Sequence, residues 1–270
     1  MESAECVTSQ PMEKKRPLIL VSNDDGITAP GIKALVEVVM EFGEVVVVAP
    51  DSPQSGMGHA ITITEPLRLD QSNYFGPEVQ AYQCSGTPAD CVKLAIDKVL
   101  HRKPDLLVSG INHGSNSSIN VIYSGTMSAA VEGAIDGIQA VGFSLLDYAL
   151  NADFDGAKSI VRRVVSGVLK HGMPADTLLN VNIPMGPVES LNGIKICRQA
   201  RAKWVEEFDE RTDPYNRRYY WLTGKFKDLD HGEDTDEWAL KHNYASVVPV
   251  QFDLTAHHAM GILNTWDLNE

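Results

Sequence analysis

The chain has 270 residues, 43% of them hydrophobic and 22% charged, enough to bury one full-sized core. A net charge of −13 repels polyanions at long range, which excludes bulk binding to nucleic acid or an anionic membrane. No apolar run approaches the ~18 residues of a membrane span, and the four cysteines, Cys6, Cys84, Cys91 and Cys197, lack CxxC spacing, so reduced thiols in a cytoplasmic protein are expected.

Residues 1–16 mix six charged residues with polar ones and hold no apolar stretch of the secretory type, so they read as a flexible extension. Pro17 to Val21 is then a short β-branched run ending in Ser22-Asn23-Asp24-Asp25-Gly26. Apolar positions Ile32, Leu35, Val36, Val39 and Met40 follow at helical spacing behind Pro30, a proline suited to a first helical turn. Val45 to Ala49 is continuously apolar, as in a strand buried on both faces, and leads into Pro50-Asp51-Ser52-Pro53-Gln54-Ser55-Gly56.

The strand and helix unit repeats. Thr87-Pro88-Ala89-Asp90 supplies an N-cap, a proline at the first position and a capping-box acid ahead of Val92, Ala95, Ile96 and Val99. Leu106 to Val108 makes a third buried strand ending in Ser109-Gly110-Ile111-Asn112, and a glycine, serine and asparagine loop precedes a small-residue helix from about Thr126 to Ile138. Val141 to Leu146 and Leu178 to Ile183 read as further strands, with a helix over Ile160 to Leu169 between them. This alternation predicts an α/β fold with a doubly wound, mostly parallel sheet over residues 17–187.

Beyond Pro187 the texture changes. Residues 194–227 carry nine Lys or Arg against five Asp or Glu and include Trp204, Tyr219, Tyr220 and Trp221. Six acids without a Lys or Arg follow from Asp228 to Glu237, and Glu233 to Glu237 reads as a solvated acidic stretch. An extended Ser246 to Phe252 and a helical Leu254 to Trp266 complete a region, 188–270, expected to form a C-terminal arm and a returning element that serves oligomerisation.

Strands of a parallel sheet point one way, so the loops after Val21, Ala49 and Val108 emerge on one edge, where ligands bind. They bring Asp24, Asp25, Ser55 and Asn112 toward one another. An all-oxygen set with two carboxylates suits a hard cation such as Mg2+, Mn2+ or Ca2+ rather than zinc, whereas Asp-Asp-Gly by itself is an ordinary turn. The stretch Asn112-His113-Gly114-Ser115-Asn116, with Ser124, Gly125 and Thr126 opening a helix, reads either as a phosphate cradle or as a plain helix cap. Neither GxGxxG after the first strand nor GxxxxGK[ST] is present, and the adjacent acids differ from the alternate pair of haloacid-dehalogenase-type phosphatases.

From Leu18 to Leu146 these motifs resemble the SurE (survival protein E) nucleotidases. The likeness runs through Val21-Ser22-Asn23-Asp24-Asp25-Gly26, Ala49-Pro50-Asp51, Ser55-Gly56, Gly86 to Val92, Ser109-Gly110-Ile111-Asn112 and Tyr123-Ser124-Gly125-Thr126. It returns more loosely at Asn180-Val181-Asn182-Ile183-Pro184 and Asp253-Leu254-Thr255-Ala256-His257. The resemblance implies a Rossmann-like core and 5′- and 3′-nucleotidase activity that depends on a divalent cation held by Asp24, Asp25, Ser55 and Asn112. It also implies a phosphate site near Asn116, Ser124, Gly125 and Thr126. The N-terminal segment and residues 198–241 depart from the pattern, which leaves substrate preference and oligomer geometry open.

The expected enzyme is a phosphomonoesterase that takes Mg2+ or Mn2+ and hydrolyses nucleoside monophosphates, with short polyphosphate as a further candidate. Its rival is a nucleotide-binding regulatory protein without turnover, although a mere binder has little use for two carboxylates that repel phosphate. Asp24, Asp25 and His59 are the candidate catalytic residues, the acids to position water and His59 to protonate the leaving oxygen. His113 has a similar claim or is a solvated loop residue, and His257-His258 point apart on a helix. The Arg217-Arg218-Tyr219-Tyr220-Trp221 cluster suits an oligomer contact or a pocket wall better than nucleic acid, and a homodimer or homotetramer is expected.

Overall fold

The structure, a computed structural model, describes residues 16–149 and 151–268, so Cys6 and, apart from Arg16, the expected extension over 1–16 lie outside the described residues. Leu18–Ser22 (β1) is buried at all five positions, the signature of a strand covered on both faces. Pro30–Val39 (α1) starts on its proline and buries Ile32, Leu35, Val36 and Val39 along one stripe. Glu44–Pro50 (β2) then pairs parallel with β1, setting Ile19 opposite Val45.

Leu69–Ser72 (β3) and Gln80–Cys84 (β4) precede Pro88–Leu94 (α2). The capping box forms as expected: the Asp90 N–H donates to Thr87 Oγ1 at 3.2 Å and the Thr87 N–H donates to the Asp90 carboxylate at 2.9 Å. Leu106–His113 (β5) runs parallel to β1, with Leu20 opposite Leu107. It is longer than the expected Leu106 to Val108, because a register shift between Ser109 and Asn112 lets pairing resume with the next strand. Gly125–Ile135 (α3), Ala140–Leu145 (β6), Asp155–His171 (α4) and Thr177–Ile183 (β7) continue the alternation.

The chain closes with Gly193–Ile196 (β8), the antiparallel hairpin of Ala202–Thr212 (β9) and Arg218–Asp228 (β10), then Asp236–Lys241 (α5), Tyr244–Gln251 (β11) and His257–Leu263 (α6). The main sheet has the order β3-β4-β2-β1-β5-β6-β7-β11-β8 and is parallel from β4 to β7. Beyond residue 187, β11 returns antiparallel against β7 and carries β8 on its far side, while β9 and β10 form a two-stranded sheet of their own.

One face of the sheet packs α1 and α4 through Ile32, Leu35, Val161 and Val165, and the other packs α2 and α3 through Cys91, Val92, Ala129 and Ala130. The fold is therefore a doubly wound α/β sheet, as expected. The chain leaves β1 toward β2 on one side and returns to β5 on the other, so the crevice between the carboxyl ends of β1 and β5 is the switch point where such sheets bind ligands. One expectation is corrected: Asp236 is fully buried and Glu237 is 9% exposed, so the acidic stretch is not solvated throughout.

Candidate metal and phosphate pocket

The switch-point loops are stitched to one another by backbone hydrogen bonds. After β1, the Asn23 side-chain amide donates to Gly26 O at 2.9 Å and sets the turn that presents Asp24 and Asp25. The loop after β2 docks on it, with the Gln54 N–H donating to Asp24 O at 2.7 Å and the Ile27 N–H to Pro50 O at 2.9 Å. The end of β5 joins through the His113 N–H, which donates to the Asp25 carboxylate at 3.3 Å. Asp24, Ser55 and Asn112 thereby line one cleft of about 220 Å³, shared with Asn116 and Ser124, while Asp25 adjoins it through His113.

Asp24 is 5% exposed and rests on the start of α3. Its carboxylate accepts the Thr126 hydroxyl at 2.5 Å, and Gly125 leaves it room, since a Cβ there would lie 2.7 Å from Asp24 Cβ. Thr126 and Gly125 thus face Asp24. Neither lines the cleft, and Ser124 Oγ is engaged as the helix cap, accepting the Met127 N–H at 3.0 Å. The helix start expected to cradle phosphate also holds this carboxylate.

Burial raises the Asp24 carboxyl, the Thr126 hydrogen bond opposes it and the Asp25 charge adds to it, leaving the group at about 6. Burial likewise raises Asp25, against the hydrogen bond and charge of His113. Among the described residues neither acid is salt-bridged to a Lys or Arg, and no group of three or more His, Cys, Asp or Glu converges that could hold a metal. The donor set on offer is two carboxylates, the Ser55 hydroxyl and the Asn112 amide oxygen, which is left open because the amide nitrogen donates to Gly114 O at 2.9 Å. These all-oxygen donors fit a hard divalent cation and would not suit zinc.

Asn116 is fixed on every side: its N–H donates to Asn182 Oδ1 at 2.8 Å, its carbonyl accepts the Asn180 amide at 2.8 Å and its side chain reaches Ser144 Oγ at 2.8 Å. His113 lines the cleft, and its Nε2 is buried without a partner. His59 stands apart, lining a neighbouring cavity that shares Ser124 with the cleft, and its Nε2 lies 2.9 Å from the Glu132 carboxylate. Sequence reading passed over Asn180 and Asn182 as site residues and missed Glu132. The signals were there: two amides at alternate positions put the same face of buried β7 against the loop, and Glu132 is the one acid of a helix otherwise built of small and apolar residues.

Comparison with known proteins identifies the family and the fold. Residues 19–206 match the family model for survival protein SurE. The chain is 64% identical over 263 residues to the 5′-nucleotidase SurE of Christiangramia forsetii, covering 96% of this chain and all of that one. It is 62% identical to the enzyme of the same name from Flavobacterium psychrophilum, covering 94% and 99% of the two chains. The crystal structure of the SurE protein from Aquifex aeolicus superposes with a TM-score of 0.81 at 40% identity, over 92% of this chain and 98% of that one.

Proposed function

The chain belongs to the SurE family, and from that membership and the pocket at its switch point we propose that it is a divalent-metal-dependent nucleotidase, hydrolysing nucleoside 5′- and 3′-monophosphates to nucleoside and phosphate. The observation that carries the reading is the convergence of Asp24, Ser55 and Asn112 on one cleft, with Asp25 beside it and no lysine or arginine neutralising the acids among the described residues. Asp24, Asp25, Ser55 and Asn112 would hold Mg2+ or Mn2+. When bound, such an ion supplies Lewis-acid neutralisation of the phosphate and acidification of a coordinated water.

The protein's own groups do the positioning. Thr126 and Gly125 hold Asp24 in one orientation at the start of α3, and the acids orient the water that attacks phosphorus in line with the departing sugar oxygen. Asn116, Ser124, Gly125 and Thr126 would meet the phosphate oxygens, the last two steadying Asp24 as well. His59, whose ring is held through Nε2 by Glu132, is the candidate to protonate the leaving oxygen, and His113, which lines the cleft, has a similar claim.

The same reading takes short polyphosphate as a further candidate substrate, and a cytoplasmic setting from the free thiols of Cys84, Cys91 and Cys197. It is tested by a phosphate-release screen over nucleoside 5′- and 3′-monophosphates, sugar phosphates and polyphosphate with Mg2+, Mn2+ or EDTA. Release from nucleotides that EDTA abolishes is expected. Tight nucleotide binding without release under either metal would replace the enzyme by a regulatory nucleotide binder.

A further inference from the structure

Glu132 is the one acid of α3, whose other residues are small or apolar, and 4% of its side chain is exposed. Its two oxygens face different partners. Oε1 accepts Lys93 Nζ from α2 at 2.5 Å, and Oε2 lies 2.9 Å from His59 Nε2. Lys93 neutralises the buried charge, which leaves the second oxygen free to hold a ring. The backbone around that ring is fixed as well. The Gly58 N–H donates to Tyr123 O at 3.2 Å, and Ala60 O accepts the Thr87 hydroxyl at 2.7 Å. Anchoring the loop therefore needs no imidazole, and the Glu132 contact fixes the ring itself. His59 keeps 35% of its side-chain surface open and lines a cavity of about 270 Å³ that shares Ser124 with the metal and phosphate pocket. The same loop carries Ser55, which lines that pocket.

We infer that Glu132 is a positioning residue of the proposed nucleotidase: steadied by Lys93, it holds His59 through Nε2, turns Nδ1 toward the departing sugar oxygen and pairs its charge with the imidazolium that delivers the proton. The inference rests on the nucleotidase reading and deepens it. As water bonds to phosphorus, the bond from phosphorus to the sugar oxygen breaks, and that oxygen keeps the bonding pair and takes the proton from Nδ1. The proton lost by the attacking water returns the ring to imidazolium. Carboxylate, imidazole and reacting oxygen then stand in series, and the carboxylate sets tautomer and orientation without itself taking the proton. Burial raises the Glu132 carboxyl, but the hydrogen bonds and charges of His59 and Lys93 outweigh it, so the group stays ionised throughout.

The test uses two substrates in the presence of Mn2+: AMP, whose sugar oxygen departs with a proton, and p-nitrophenyl phosphate, whose phenolate departs without one. Expected in Glu132→Gln is a fall in kcat of about tenfold on AMP, with KM within about twofold, and a far smaller fall on p-nitrophenyl phosphate. Glu132→Gln added to His59→Ala should cost nothing further, since the one residue acts through the other. Lys93→Met leaves Glu132 and His59 in place and should show the same substrate dependence at smaller size, which serves where Glu132→Gln does not fold. Proton–nitrogen NMR of wild type, free of metal and substrate, should show the neutral His59 ring carrying its proton on Nε2. Equal losses on both substrates, additive losses in the double variant, or a neutral ring protonated on Nδ1 would overturn the assignment. Any of these with AMP still hydrolysed leaves the nucleotidase standing, whereas wild type that releases no phosphate from AMP overturns both.

Discussion

Glu132 sits inside α3 with 4% of its side chain exposed, between Lys93 Nζ at 2.5 Å and His59 Nε2 at 2.9 Å. Burial pushes its carboxyl up, but the hydrogen bonds and charges of His59 and Lys93 outweigh that and hold it below the ordinary range. A carboxyl lowered in the folded state stabilises the fold above its unfolded value of about 4.3, and loses that contribution as pH falls through the folded value. Glu132→Gln is therefore expected to cost about 1–3 kcal/mol at pH 7, and the gap to wild type should close below about pH 4. Urea unfolding at several pH values measures it, and a gap that persists unchanged into acid would exclude the ionised carboxylate as the cause. At this scale the sequence named the reactive residue types but not their partners. Thr126 and Gly125 were legible as residues of the site, whereas their service to Asp24 depends on where α3 begins relative to β1, a three-dimensional fact absent from spacing.

Among the elements, the short helix α5 binds the arm to the pocket loop. The Asp236 carboxylate accepts the N–H of Ser118 at 2.8 Å and of Ala200 at 2.8 Å, and Glu237 accepts the Ser117 hydroxyl at 2.5 Å. Removing such a buried acceptor leaves backbone donors unpaired, so Asp236→Ala is expected to cost about 1–3 kcal/mol and to speed hydrogen exchange at the Ser118 and Ala200 amides. Unchanged exchange at both amides would show that the carboxylate does not hold the loop. The parallel strands were readable because continuously apolar runs such as Val45 to Ala49 have one good environment, the middle of a two-faced sheet. Asp236 was not, because a run of acids reports charge, and only tertiary packing shows that backbone N–H groups from two distant segments converge on one of them.

At the scale of the whole molecule, the hairpin of β9 and β10 leaves Phe208, Tyr220, Trp221 and Leu222 exposed, and the C-terminal segment leaves Leu254, Ile262 and Trp266 exposed. Apolar surface of this extent is a feature of association sites, so we propose a homodimer or homotetramer with the hairpin in the contact. Multi-angle light scattering at micromolar concentration should give two or four copies, and a monomer would exclude it. The order of elements through β7 was legible from alternation except for β3 and β4, short strands that no continuous apolar run announces, while the return of β8 and β11 to the main sheet was only partly so, since a long excursion separates them from the strands they join. The central claim concerns the acids at the switch point, and it is tested most directly by phosphate release from AMP as Mn2+ is titrated into metal-stripped wild type and Asp24→Asn. Expected is metal-activated turnover in wild type and a loss of about a hundredfold or more in Asp24→Asn, since one charged oxygen ligand is gone. Wild-type turnover in metal-stripped Asp24→Asn would contradict it.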